Sequence, residues 1–411
     1  IESGKTMFTE NNSDPLGFID QYLANYKTPK DLDLPRFSGG LAGYFGYETI
    51  HYIEPKLIKE FTKDDLDLPD IHLMESDEVI VFDNLTGKLS IVVYANDDLS
   101  SYDHAINRLT NIELMIESQL KNENAQSKKK VDNVKAESEF GEKNFHHAVD
   151  KIKEYIVEGD VMQVVLSQRM VKKFQLPAIS LYRVLRSINP SPYMFFYHFD
   201  DYFIVGASPE ILVRLENDTV TVRPIAGTRP RGENSQLDKD LEKDLLNDPK
   251  EIAEHIQLMD LGRNDIGRVS QPGSVVVTDK MTIERYSHVM HIVSNVEGSI
   301  EENLSPMDVL KATFPAGTVS GAPKVRAMEI INELESTKRG VYAGAVGYIG
   351  YDGTLDVAIA IRTGVIKSGK LFVQAGAGVV ADSIAKNEWD ETNNKAKAVL
   401  RAAEIAEKDF G

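Results

Sequence analysis

From residue 36 to its end, the chain switches repeatedly between two apolar spacings, and this limits it to folds that mix strands with helices. Residues 36–50 alternate glycine with aromatic residues, the pattern of strands with close backbone approaches. The runs 79–82 and 89–94 flank Asn84-Leu85-Thr86-Gly87 and predict a β-hairpin. In 103–120, Ile106, Leu109, Ile112, Met115 and Ile116 recur at helical spacing. A second amphipathic helix is expected at 145–157, and strand-like runs follow at 162–171, 194–199 and 202–205. Polar helices are expected over 236–261, interrupted near Pro249. The last third predicts a strand at 273–279, a helix at 323–334, strands at 343–350, 355–362 and 370–374, and a final helix at 384–406. No internal repeat is present. Hairpin-joined strands among long helices point to an α+β or layered α/β architecture.

The chain has 411 residues, enough for two or three domains or one large body. Residues 121–139 are polar and lysine-rich without an aromatic residue, which marks a linker or mobile loop. With 46 basic and 64 acidic side chains the net charge is −18, so nucleic acid and anionic membrane surfaces are poor partners. No apolar run reaches the roughly 18 residues of a membrane span. Cysteine is absent, which removes thiolate catalysis and disulfides and fits a reducing, cytoplasmic setting. The chain opens Ile1-Glu2-Ser3-Gly4 without a signal-peptide pattern and is read as starting inside a longer protein.

The densest local motif is 222–231, VRPIAGTRPR. Neither a helical nor a strand period accounts for it. It reads either as a surface turn with solvated arginines or as a stiff loop whose Gly227 amide and Thr228 hydroxyl meet a small anion. Residues 314–324, FPAGTVSGAPK, bring Gly317, Thr318, Ser320 and Gly321 to a helix start at Pro323; this is either a capped helix or an anion site. Gly376-x-Gly378 after a strand matches a dinucleotide loop only weakly, because the third glycine is missing. Glu254 lies opposite Ile252, Ile256 and Met259 on its helix, so periodicity alone makes it a solvated side chain. Glu391 and Lys395 have the spacing of a surface ion pair, although two separated carboxylates can hold one Mg²⁺. His291, beside His288 on a strand-like run, has the ordinary pattern of a structural histidine.

Nine ordered segments change the weight of these motifs. They are GDVMQVVLSQR (159–169), NPSPYMFF (189–196), GASPEILVR (206–214), RPIAGTRPRG (223–232), EIAEHIQLMDLGRND (251–265), VMHIVSNVEG (289–298), FPAGTVSGAPKVRAMEII (314–331), GYIGYDGTLDVAIAIRT (347–363) and QAGAGVVADSIAKNEWDET (374–392). Together they resemble the chorismate-utilising enzymes, most closely the first components of anthranilate synthases. The match at 37–48 is looser.

The resemblance implies an α/β fold of the α+β type, with two large, mainly antiparallel sheets packed as a sandwich and helices outside. It implies an N-terminal regulatory region at 1–120, a polar linker at 121–142 and a chorismate-binding catalytic domain at 143–411. It also implies a reaction in which ammonia adds at ring position 2 of chorismate, the hydroxyl at position 4 leaves, and pyruvate is lost. In that reading Glu254 and Glu391 are the Mg²⁺ ligands, Glu210 is the acid that protonates the departing hydroxyl, and His291 serves pyruvate elimination. Arg362 and Tyr342 hold the enolpyruvyl carboxylate. Gly227, Thr228, Thr318, Gly376, Gly378 and Lys395 line the same pocket.

Gln163 stands where water-using relatives have a lysine, which favours ammonia. Ala226 stands where many aminodeoxychorismate synthases have a lysine, which favours anthranilate over that folate-pathway product, the main alternative. A non-catalytic module that activates an amidotransferase is a third reading. The ammonia supplier implied is a separate glutamine amidotransferase subunit in a hetero-oligomer. Asn189, Pro190, Ser191, Pro192, Tyr193 and Met194 resemble part of a tryptophan feedback site whose other part lies upstream.

Overall fold

The computed structural model describes residues 14–29, 34–58, 64–119, 135–286 and 289–410. Two sheets dominate. One has nine strands, in the order Ile225–Pro230, Val289–Ser299, Thr219–Val222, Ile211–Glu216, Leu355–Ile359, Ala345–Gly350, Gly40–Phe45, Ile71–Ser76, with Val276–Arg285 added beside Val289–Ser299. The other has seven, in the order Gly321–Ala322, Gln163–Lys173, Lys370–Val379, Thr363–Lys367, Tyr202–Ser208, Tyr193–His198, with Glu137–Ser138 beside Gln163–Lys173. Every pairing between described strands is antiparallel. The nine-stranded sheet draws strands from both sides of the polar segment at 121–142, most of which, like residues 1–13, lies outside the described residues.

Period-two alternation explains how the layers stack. Tyr44, Val346 and Ala358 from the nine-stranded sheet meet Tyr202, Ile204 and Val365 from the seven-stranded sheet in one core between them. Their strand neighbours Phe45, Ala345, Ile349 and Val357 point the other way, onto Leu16, Met259, Ile266 and Leu310 of the helices Pro15–Leu23, Pro249–Gly267 and Pro306–Thr313. On the far side of the seven-stranded sheet, Val205, Ala207 and Val373 pack against Leu181 and Leu185 of Ala178–Ile188 and against Ala396, Val399 and Ala403 of Ala385–Phe410. Small residues on the last helix let it lie close to the sheet. All five residues of Leu355–Ile359 are buried, as befits a strand covered on both faces. Each fully buried aliphatic side chain there contributes about 1.5–3 kcal/mol.

The expected elements mostly hold, with shifted ends. The hairpin is Glu78–Asp83 with Lys88–Val93, and the helices near 236–261 break at Pro249 into Ser235–Asn247 and Pro249–Gly267. Three corrections follow. Residues Ile225–Pro230 form a strand, although no strand period was read there, because a bulge between Ala226 and Thr228 breaks the alternation. Gly376 and Gly378 lie inside the strand Lys370–Val379 and not in a loop, which removes the dinucleotide reading. The helices Pro15–Leu23, Ala178–Ile188 and Pro306–Thr313 were not anticipated.

Candidate active site

Two short crossings carry the chain from one sheet to the other. Tyr202–Ser208 of the seven-stranded sheet leads through Pro209 and Glu210 to Ile211–Glu216 of the nine-stranded one. Leu355–Ile359 returns through Ala360, Ile361 and Arg362 to Thr363–Lys367. The crossings lie side by side: Ile359 N donates to Glu210 O at 3.0 Å, Ala207 N to Arg362 O at 3.2 Å, and Ser208 Oγ to Ile359 O at 2.7 Å. Arg362 adopts a left-handed φ of 51°, uncommon for a residue with a side chain and a recurrent feature of functional sites.

Glu210 is buried. Loss of water pushes its carboxyl up to about 7, against the opposing influence of Thr318, Lys395 and Arg362. Thr318 sits on the tight turn Gly317–Val319, and its buried hydroxyl lacks a hydrogen bond of full geometry, although it is near enough to stabilise the Glu210 carboxylate. Burial pulls the Arg362 guanidinium below its ordinary value, with Glu210 acting the other way. No ion pair within 4 Å joins Arg362 to a described carboxylate. Arg362 is half-buried, and a partly desolvated cation favours an anion that reaches it.

His291 lies on Val289–Ser299, in register with Thr228. Its Nδ1 is 3.0 Å from Gly227 O and 3.1 Å from Thr228 Oγ1. A carbonyl only accepts, so Nδ1 carries the hydrogen and the Nε2 lone pair is left available. Burial lowers its pKa; the Gly227 carbonyl and Glu284 oppose this and Arg362 adds to it. Gly227 itself is the bulge residue, with φ 70°. A Cβ there would be 3.2 Å from Glu251 Oε2 and strained in any case, so glycine is required.

The three arginines of 222–231 are all paired with carboxylates and so are not open to an anion. Arg223 pairs with Glu284 and Arg231 with Asp238. Arg229 contacts Asp244 and Asp248 at 2.7 Å and Glu251 at 3.3 Å. Asp248 also caps the helix Pro249–Gly267 by accepting from Lys250 N and Glu251 N. Arg229 therefore ties the bulged strand to the helix that carries Glu254.

Glu254 is solvent-exposed, as its periodicity predicts, but it lies within the field of other charges. Partial burial raises its pKa, helped by Glu251 and Glu391 and opposed by Lys395 and Lys250. Glu391 on the last helix pairs with Lys395 at 2.7 Å, and Lys395 Nζ also donates to Gly376 O at 3.0 Å. Two carboxylates escaped the sequence reading: Glu251, three residues before Glu254, and Glu388, three before Glu391. Burial chiefly, then Glu391, raises the pKa of Glu388. The repeated E-x-x-E spacing on two helices was the available signal. Among the described residues no three acidic or histidine side chains form a ready metal cage.

The opposite wall is the strand Lys370–Val379. A Cβ on Gly376 would stand 2.8 Å from Tyr342 Oη and 3.0 Å from the Leu166 carbonyl, so that position is crowded, whereas one on Gly378 would meet only the end of the Gln163 side chain, at 2.5 Å, and would displace it. Gln163 Oε1 accepts from Gln257 Nε2 at 3.4 Å. Tyr342 is buried, and loss of water pushes its phenol up to about 12. Asn189–Met194 runs from the end of Ala178–Ile188 into the edge strand Tyr193–His198. Ser191 Oγ donates to Asn189 O, and Tyr193, in register with Ser208, hydrogen-bonds Asp356 and Arg214. Ala226 is buried, and His288 lies outside the described residues.

A family model for chorismate binding enzymes matches residues 3–401. The chain belongs to that family. Among its relatives, anthranilate synthase component 1 of Neisseria meningitidis serogroup A is 55% identical over 403 residues, covering 97% of this chain and 82% of the relative. The component 1 protein of Pseudomonas aeruginosa is 53% identical over 403 residues, covering 96% and 81%. The crystal structure of anthranilate synthase component I from Streptococcus pneumoniae superposes with a TM-score of 0.86 at 42% identity, covering 94% of this chain and 86% of that one. That likeness bears out the α+β fold expected from the nine segments.

Proposed function

We propose that this chorismate-binding enzyme is the synthase component of an anthranilate synthase, joining ammonia to chorismate and releasing anthranilate, pyruvate and water. The observation that supports it most is the pair of crossings, where a buried acid near 7 lies close to a half-buried arginine that has no ion pair within 4 Å among the described residues. Chorismate offers two carboxylates and a hydroxyl that leaves poorly. An arginine fork suits a carboxylate, and a protonated carboxyl suits the hydroxyl.

Mg²⁺ is the proposed cofactor. Glu254 and Glu391 offer only oxygen donors and raise one another's energy as like charges, which a divalent cation would relieve. Fewer than three protein ligands is in keeping with an ion that takes the rest from substrate and water. When bound it would neutralise and orient the ring carboxylate. Glu251 and Glu388, one turn behind, would support the two ligands.

The remaining work falls to side chains of this chain. Arg362 and Tyr342 hold the enolpyruvyl carboxylate. Glu210 gives its proton to the hydroxyl at ring position 4 as that C–O bond breaks and water departs. Ammonia forms its bond at position 2 and sheds a proton. His291, with Nε2 available, then takes the ring hydrogen from position 2. The enolpyruvyl ether bond breaks, pyruvate leaves after gaining a proton, and the ring becomes aromatic. Lys395, held by Glu391 and Gly376, adds positive charge to the pocket. Gln163 has no basic lone pair for water at neutral pH, and Ala226 offers no nucleophile, so ammonia attacks directly.

The name component 1 borne by the relatives implies a second component. A glutamine amidotransferase subunit that supplies the ammonia is proposed, in a hetero-oligomer in the cytoplasm. Asn189–Met194 is proposed as part of a tryptophan effector site. No described helix is long and apolar enough to cross a membrane. The test is direct: the purified chain with chorismate, ammonium and Mg²⁺ should develop anthranilate fluorescence. Accumulation of a product that keeps its enolpyruvyl group would overturn the assignment.

A further inference from the structure

Behind the pocket lies a buried cation that the chemistry above does not use. Arg339, 3% exposed, directs its guanidinium at three separate pieces of chain. Nε and Nη2 grip Glu335 Oε2 and Oε1 at 2.8 and 2.7 Å. Nη1 donates to Val319 O at 2.8 Å, and Nη2 also donates to Val165 O at 2.8 Å. The guanidinium carbon stands 4.6 Å from the centre of the Tyr47 ring and 5.5 Å from that of Tyr342.

Each target borders the substrate pocket. Val319 follows Thr318 on its turn. Val165 lies opposite Gly378, and Ser167 opposite Gly376, in the strand register. Ser167 is bound into the same network, donating to Glu335 Oε1 through its backbone N at 2.8 Å and its Oγ at 2.9 Å. Tyr342 is three residues beyond Arg339 and closes over Gly376. The backbone of Arg339 is fixed in turn, since the N–H groups of Arg339 and Gly340 each donate at 3.0 Å to the buried carboxylate of Glu48.

We infer that Arg339 is a positioning residue of the chorismate site, setting the spacing between Tyr342, Thr318 and the Gly376–Gly378 strand from behind. This rests on the function proposed above. The geometry needs a planar fork: one carboxylate and two carbonyls are met in different directions while the flat face covers aromatic rings. A lysine at this position would keep the charge and lose that simultaneous reach. Displacing a substrate-holding group by about 1 Å costs on the order of 100-fold in rate.

The experiment compares wild type, Arg339→Lys, Tyr342→Phe and the double variant in anthranilate formation, each assayed well below its own melting temperature. Arg339→Lys should raise the chorismate KM about tenfold and lower kcat/KM about 100-fold in fully folded protein. Its effect should overlap with that of Tyr342→Phe, the double variant being little worse than Arg339→Lys alone. A role in stability alone would lower the melting temperature and leave KM within twofold; that outcome, or simple multiplication of the two effects, overturns the inference. Should Arg339→Lys fail to fold, Glu335→Gln loosens the same fork with a side chain of equal size. It should then raise KM in the folded enzyme, and an unchanged KM refutes the positioning role. A wild-type chain that makes no anthranilate would refute the functional reading instead, which keeps the two failures distinct.

Discussion

Glu210 and Arg362 occupy neighbouring crossings between the two sheets, each fixed by its carbonyl to the other crossing: Glu210 O accepts from Ile359 N and Arg362 O from Ala207 N. Four strands converge to hold this pair: Tyr202–Ser208, Ile211–Glu216, Leu355–Ile359 and Thr363–Lys367. Neither side chain forms an ion pair within 4 Å among the described residues, although Thr318, Lys395 and Arg362 all favour the charged form of Glu210. Replacing Glu210 by Gln should lower kcat by about 10²–10⁴-fold, the usual worth of a positioned acid, while chorismate still binds. Equilibrium binding beside steady-state rates checks this. The same change should alter stability in a defined direction. The Glu210 carboxyl is raised from 4.5 to about 7 in the folded chain, so its contribution is present below pH 4.5 and lost as pH rises through 7. Glu210→Gln should therefore flatten the pH dependence of the melting temperature over that window and be the more stable form at pH 8. A parallel decline in both proteins would contradict the burial argument.

His291 is held neutral by burial, with Nδ1 committed to Gly227. Protonation of Nε2 removes the base, so kcat should fall on the acid side, with its midpoint below the ordinary 6.5 of a histidine. His291→Asn should slow pyruvate release by about 10²–10⁴-fold and let the aminated, still enolpyruvyl-bearing intermediate accumulate. Rapid quench followed by mass spectrometry detects that species.

Arg362→Lys keeps a positive charge near Glu210 but loses the two-pronged grip on a carboxylate. A charge-assisted hydrogen bond lost at a buried site costs about 1.5–3 kcal/mol, which corresponds to roughly 10- to 150-fold in kcat/KM for chorismate. Titration of KM and kcat separates the effect, with most of it expected in KM.

Chelation of divalent ions should abolish anthranilate formation, and Mg²⁺ should restore it. Glu391→Gln should abolish turnover even with excess Mg²⁺. Its melting temperature should change little, because the Glu391–Lys395 pair is about half exposed and such pairs contribute only about 0–1 kcal/mol. Thermal protection by chorismate should need Mg²⁺ in the wild type and be lost in the variant.

The sequence patterns that survived are those set by local physics. Pro249 breaks its helix, and Asn84–Gly87 turns its hairpin, because backbone sterics act within a few residues. The period of Glu254 correctly predicted exposure. What it did not reveal was the company: Glu391 comes from 137 residues later, and only the fold brings it near enough to act on Glu254. The arginines of 222–231 misled for a similar reason. Their carboxylate partners lie on the next helices and on Val276–Arg285, so a cluster that looked like an anion site is internally satisfied. Arg362, which has no such partner, sits in an apolar sequence context that gives no local hint of its left-handed φ. The resemblance across nine segments singled it out as an expected carboxylate-binding residue where periodicity was silent. Arg339 escaped both, since its three targets meet only in the folded chain.

The most direct measurement is the product formed from chorismate, ¹⁵N-ammonium and Mg²⁺ by the purified chain, quenched and weighed by mass spectrometry. Anthranilate carrying one ¹⁵N, with an equal amount of pyruvate, is the result expected from the arrangement of Glu210, His291 and Arg362. Isochorismate without nitrogen, or aminodeoxychorismate that retains the enolpyruvyl group as the final product, would contradict it.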